Sequence, residues 1–168
     1  MRERNVLAAM ALLLAVSACG FRPLYAPSGS TNADLSEVFV DIIPNRDGQL
    51  LRQALQEHLD GSGLTDKSYV LQVQYSLQYS AEGIQQDTSI SRNRYIGTAH
   101  WVLRKPGPLG EKVASGSARS LDGSNAINSQ FFYGDLSGEA INRRMAEALA
   151  GEITEKVAAY FRTNGAPT

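Results

Sequence analysis

A chain of 168 residues with 43% apolar side chains has the composition of a globular protein with material for one hydrophobic core, so one folded domain is expected. Its 16 Lys and Arg against 17 Asp and Glu leave a formal charge of −1, which excludes the strong positive field that nucleic-acid binding depends on. The single cysteine, Cys19, excludes an intrachain disulfide and a cysteine-rich zinc site; with only His58 and His100 besides, no metal and no cofactor are expected.

Residues 1–18 read as a secretory signal. Arg2 and Arg4 give a basic start, Val6 to Val16 is an unbroken apolar run of eleven residues, and Ser17 and Ala18 are small. Eleven residues are too few to cross a bilayer, which needs about 20, and a buried helix would not need the basic start. The stretch Val16-Ser17-Ala18-Cys19 resembles the lipobox of bacterial lipoprotein precursors. That resemblance implies cleavage before Cys19 and lipidation of its thiol and new amino group. Several acyl chains at about 0.8 kcal/mol per buried CH₂ make a stable anchor. The residue after the cysteine is Gly20 rather than the Asp that retains such lipoproteins at the inner membrane, so the outer membrane, on its periplasmic face, is the expected address. Removal of residues 1–18 takes away Arg2, Glu3 and Arg4, leaving 14 basic and 16 acidic residues, a balance of −2.

Residues 19–34 carry Pro23, Pro27, Gly29 and a polar run without periodicity, and read as a tether; Phe21, Leu24 and Tyr25 suit either contact with a membrane or partner or a loosely packed arm. A single α/β domain is expected over residues 35–164, followed by a tail, 165–168. Leu35 to Ile43, rich in β-branched residues and ended by Pro44, predicts a first strand buried on both faces. Asp47 is the expected cap of a helix with Leu50, Leu51, Ala54, Leu55, His58 and Leu59 on one stripe, stopped by Gly61-Ser62-Gly63. On that stripe His58 is a core or boundary residue rather than a metal ligand.

Tyr69, Leu71, Val73, Tyr75, Leu77 and Tyr79 alternate with polar residues and predict a half-buried second strand, with a turn near Glu82-Gly83. Tyr95, Gly97, Ala99, Trp101 and Leu103 give a third strand its apolar face, leaving Arg92, Arg94, His100 and Arg104 on the other. The turn at Pro106-Gly107-Pro108 leads to a weakly patterned fourth strand, Lys112 to Leu121, ended by Asp122-Gly123. Ser124 to Gly134 is the expected loop, containing Asn125, Phe131, Phe132 and Tyr133. Asp135 or Ser137 then caps a long helix with Ile141, Met145, Leu149, Ile153, Val157 and Phe161 every fourth residue, widened by Ala148 and Tyr160.

The order β-α-β-β-β-α predicts an α/β two-layer sandwich, with two helices on one face of a four-stranded mixed sheet and a polar, uncovered opposite face. Catalytic signatures are missing: Gly134-Asp135-Leu136-Ser137-Gly138 fails the nucleophile-elbow spacing and Asp122-Gly123-Ser124-Asn125 fails the calcium-loop spacing. Binding or scaffolding is the expected class, and no enzyme activity is expected.

Taken together, Cys19-Gly20-Phe21-Arg22-Pro23-Leu24-Tyr25, Leu50-Leu51-Arg52-Gln53-Ala54-Leu55, Tyr69-Val70-Leu71-Gln72-Val73 and the helix from Glu139 through Ile153 resemble the LPS-assembly lipoprotein (LptE) family in its alphaproteobacterial form. The resemblance covers nearly the whole mature chain, carried by the order of short motifs. It implies a lipoprotein that plugs a large outer-membrane β-barrel, LptD, assists its assembly and helps deliver lipopolysaccharide to the outer leaflet. Lipopolysaccharide binding through basic residues is implied too, without fixing which. From the strand pattern the candidates are Arg92 and Arg94, two residues apart on one face, with Arg104 about 40 Å further along. Asn125, Phe131, Phe132 and Tyr133 are the candidate barrel contacts. The competing expectations are an auxiliary lipoprotein of an envelope ABC transporter and a lipid-anchored hydrolase, which would need His58 or His100 to face a Ser or Asp in a cleft.

Overall fold

The computed structural model describes residues 34–59, 67–84, 90–108, 110–125 and 131–164. Within them the chain runs β1 (Val38–Val40), α1 (Arg46–His58), β2 (Tyr69–Ile84), β3 (Ile90–Arg104), β4 (Lys112–Asn125) and α2 (Phe131–Asn164). The sheet order is β1-β2-β3-β4, with β1 parallel to β2 and the other pairs antiparallel, so the sheet is mixed as expected.

Alternation in β2 and β3 decides which face is covered. Leu71, Val73, Ala99, Trp101 and Leu103 are buried on the helix side, joined by Val38, Val40 and Ala118 from the flanking strands. Against them α2 lays Ile141, Met145, Leu149, Ile153, Val157 and Phe161, each at most 1% exposed. The stripe is widened by Ala146, Ala150, Thr154 and Ala158 rather than by Ala148, which is exposed. A 3.6-residue repeat drifts against a spacing of four, so a neighbouring file shares the buried face. Leu51 and Leu55 of α1, with Leu59 at its C-cap, complete the core.

Several boundaries differ from the expectations. The first strand keeps only three residues and is buried on one face, with Phe39 on the outer side 41% exposed. Leu35 belongs instead to a helical turn over residues 34–36, and Asp41 turns its carboxylate onto the Ile42 amide at 2.8 Å. Asn45, not Asp47, sits at the N-cap of α1, at φ 69°; Asp47 lies in the first turn and accepts 2.9 Å from Asn142 Nδ2 of α2. The β2–β3 hairpin runs past Glu82, which pairs with Arg92, and β4 runs past Asp122-Gly123 to Asn125. The last helix starts at Phe131, so Gly134, Asp135 and Ser137 lie inside it rather than at its cap.

Two close fits set the shape of the core. A Cβ on Gly116 would stand 2.8 Å from the Trp101 ring, so the indole packs this closely on β4 only because that position is glycine. Thr154, fully buried in mid-α2, has no hydrogen-bond partner for its hydroxyl among the described residues.

Two stability predictions follow from these fits. Gly116→Ala drives a methyl into a ring that cannot retreat and is expected to cost about 1–3 kcal/mol in chemical denaturation. Thr154→Val removes an orphaned buried hydroxyl at nearly constant shape and is expected to add about 1 kcal/mol in the same measurement.

Candidate functional site

The outer sheet face has no covering layer among the described residues, so what stands on it is the natural candidate surface. Because Ala99, Trp101 and Leu103 point to the helices, Arg92, Arg94, Ile96, Thr98, His100 and Arg104 point away from them. In β4 the buried Ala118 puts Arg119 and Leu121 on the same outer side.

Arg92 and Arg94 stand together at the hairpin end of β3, both exposed. Arg94 Nη1 lies 2.8 Å from Glu82 Oε1, with both side chains open to solvent. An ion pair so exposed contributes little, so an incoming phosphate can displace the carboxylate at small cost. The Arg92 guanidinium lies along Gly123, where an added Cβ would come within 3.3 Å of its Nε. Glycine there lets the side chain lie close over the sheet.

The register adds residues that sequence reasoning missed. Ile96 pairs with Leu121, which is 57% exposed, and Thr98 pairs with Arg119. An apolar pair therefore sits between Arg92 and Arg94 on one side and Arg119 on the other. Glu82 joins the site because the hairpin is longer than the Glu82-Gly83 turn signal suggests. Arg119 is hidden in a strand whose small, polar residues give no readable alternation.

Arg104 is not part of this cluster. Its Nε donates to Gln72 Oε1 at 3.2 Å and its Nη1 to the Gly110 carbonyl at 3.1 Å, so it ties the β3–β4 turn to β2. Asn125 lies opposite Arg92 in the register, which brings a candidate contact residue beside the arginines. Phe131, Phe132 and Tyr133 form the first turn of α2, and their side chains are outside the described residues, as is Cys19.

The two histidines lie on opposite sides of the sheet. His58 Nε2 is 2.6 Å from Glu147 Oε1, an α1–α2 contact at the boundary of the helix layer. His100 pairs with Gln74 and Ser117 on the outer face and is exposed. Among the described residues no group of three or more His, Cys, Asp or Glu is placed to hold a metal ion, and no helix is long and apolar enough to cross a membrane.

The same fold occurs in solved lipoproteins. A lipoprotein from Caulobacter crescentus CB15 superposes with a TM-score of 0.67 at 17% identity, covering 79% of this chain and 96% of its own. Rare lipoprotein B from Shewanella oneidensis gives 0.58 at 12% identity, covering 75% and 95%. A minor lipoprotein from Acinetobacter baumannii gives 0.54 at 14%, covering 73% and 91%. At these identities the likeness is one of fold. No curated protein matches the sequence. Residues 35–157, which span all four strands and most of α2, match the family described as LptE, lipopolysaccharide-assembly, and the chain belongs to that family.

Proposed function

We propose that this protein is a lipoprotein anchored through Cys19 to the periplasmic face of the outer membrane, where it plugs the LptD β-barrel, assists its assembly and helps pass lipopolysaccharide to the outer leaflet. Residues 1–18 serve as the signal, 19–34 as the lipidated tether, 35–164 as the working domain and 165–168 as a tail. The family membership supports lipopolysaccharide assembly as the general role. The observation that carries the finer reading is the outer face itself, where arginines flank an apolar pair, half-buried Ile96 and exposed Leu121. Lipopolysaccharide combines phosphates with acyl chains, and this surface offers guanidinium groups for the first and Ile96–Leu121 for the second. A polar sheet face also suits a barrel lumen, since transmembrane barrels turn polar residues inward.

Two experiments test the proposal. Arg92→Ala combined with Arg94→Ala removes charge-assisted contacts and is expected to weaken binding of purified lipopolysaccharide by more than about tenfold. Unfolding stability is expected to move by less than about 0.5 kcal/mol, because both side chains are exposed. Affinity equal to that of the parent would refute the role of this pair. In cells, a photocrosslinker at Asn125 or Phe132 is expected to trap a large outer-membrane barrel, and the recovered chain to begin at a lipidated Cys19. A folded, anchored protein that co-purifies with no barrel would refute the plug role.

A further inference from the structure

The two edges of the sheet are treated differently. Along β4, α2 supplies partners to the outer backbone groups: Glu152 Oε2 accepts from the Arg119 amide at 3.1 Å and Lys156 Nζ donates to the Ser117 carbonyl at 2.5 Å. The Lys156 hydrogen bond holds the Glu152 carboxyl below the usual carboxylate range, so this clip is charged at neutral pH.

Among the described residues the other edge is paired only at its start. β1 pairs with Tyr69, Val70 and Leu71, and the last backbone bond across is Asp41 N–H to the Leu71 carbonyl at 3.0 Å. In a strand the N–H and C=O of one residue point to the same side, and the sides alternate. Since Leu71 faces β1, so do Val73, Tyr75, Leu77, Tyr79 and Ala81, while Gln74, Ser76 and Gln78 face β3. Among the described residues no strand pairs with this edge beyond Leu71. Val73 to Ala81 spans about 30 Å.

Natural sheets blunt such an edge with charges, proline, bulges or a cover. From Val73 to Ala81 there is no charged residue, no proline and no glycine, and the pairing with β3 is unbroken. A row of donors and acceptors at strand spacing, without backbone partners among the described residues, is complementary to one kind of occupant, another extended backbone. The side chains flanking it are Tyr75, Leu77 and Tyr79 on the helix side and Gln74, Ser76 and Gln78 on the outer side, so the matching segment is uncharged, with apolar and polar residues alternating.

We infer that the Val73–Ala81 edge of β2 docks an extended, uncharged segment of the protein partner, which adds to the sheet as a fifth strand beside β2. This rests on the partner reading above and names where the partner is held.

The test is amide hydrogen exchange at single-residue resolution, on the purified lipoprotein alone and on the complex recovered from outer membranes through a tag on this chain. In the isolated protein the amides of Tyr75, Leu77, Tyr79 and Ala81 are expected to exchange rapidly, and those of Gln74, Ser76 and Gln78 slowly. In the complex the first set is expected to slow by at least about 100-fold, the scale of an amide moving from solvent into a ladder. Rapid exchange in a complex that contains the barrel would overturn this inference and leave the proposed function standing. Slow exchange already in the isolated monomer would overturn it by showing that the chain covers its own edge, and slow exchange only at dimeric mass would do so by identifying a second copy. Recovery without any barrel would overturn both readings. As a second arm, Tyr79→Pro removes one edge donor that β3 does not use and is expected to reduce barrel recovery at least tenfold, with Tyr79→Ala retaining it. Equal recovery with both variants would overturn the inference without depending on the exchange data.

Discussion

Everything in this molecule follows from the burial of one face of the sheet under α2. Six side chains at a spacing of four, from Ile141 to Phe161, are withdrawn from water against the odd-numbered residues of β2 and β3. Each contributes on the order of 1.5–3 kcal/mol when fully buried. No comparable layer lies on the even-numbered side among the described residues, so that side carries Gln, Ser, Arg and His. The surface available for recognition is thus set by the same alternation that builds the core. A one-residue slip of β3 would exchange Trp101 with His100 and destroy both together.

The helix layer also sets the limits of the sheet. α1 has 13 residues, about 20 Å, whereas β2 has 16, about 53 Å. Only α2, at about 51 Å, approaches the length of the hairpin. Toward the hairpin end the core thins: Val73 is buried, Tyr75 half-buried and Tyr79 71% exposed, its ring 6.2 Å from that of Tyr95. Burial, with the charge of Asp47 second, pushes the Tyr75 phenol up to about 12, which places the inner margin of this gradient in a low-dielectric setting. Arg92 and Arg94 stand toward this end, so the charged site lies where the described core thins.

How far the sequence was legible follows from the strength of each local signal. The tyrosine alternation of β2 and the four-residue file of α2 are long and regular, and the two-layer arrangement could be read from them. The boundaries were misread where two signals compete. Gly134, Asp135 and Ser137 carry the chemistry of a helix start, yet α2 begins before them at Phe131. Asp122-Gly123 reads as a turn, but β3 keeps pairing through it, and Asp122 instead bonds the Gly123 amide at 2.7 Å and meets Arg144 at 2.8 Å. Arg92 and Arg94 were visible as a pair because the face of β3 is readable. Arg119 was not, because Ala114, Gly116, Ala118 and Ser120 give β4 a helix-side face of small residues, of which only Ala118 is fully buried, and that looks like no face at all. At Gly116 the missing side chain is a packing requirement of Trp101, whose ring occupies the space a Cβ would need.

The long axis of the sheet has a consequence for how an anchored form would be used. The described chain begins at Asp34, next to β1, and β1 pairs with the first residues of β2, at the end where Arg104 lies opposite Val70. Arg92 and Arg94 lie at the other end of β3, about 35–40 Å away. On the proposed attachment at Cys19, residues 20–33 are the only connection between the lipid and the domain, and fully extended they reach at most about 50 Å. The two ends of the sheet are thus separated by more than the hydrocarbon thickness of a bilayer, about 30 Å. With the hairpin directed away from the anchored leaflet, the arginines are held beyond the phosphates of that leaflet. With the hairpin directed along a barrel axis, the same length carries them through the membrane-spanning zone while the anchor stays on the periplasmic side. On the proposed function, the second orientation lets an anchored domain meet a phosphorylated glycolipid on its way to the opposite leaflet, and it requires a surrounding wall that tolerates a polar sheet face at that depth.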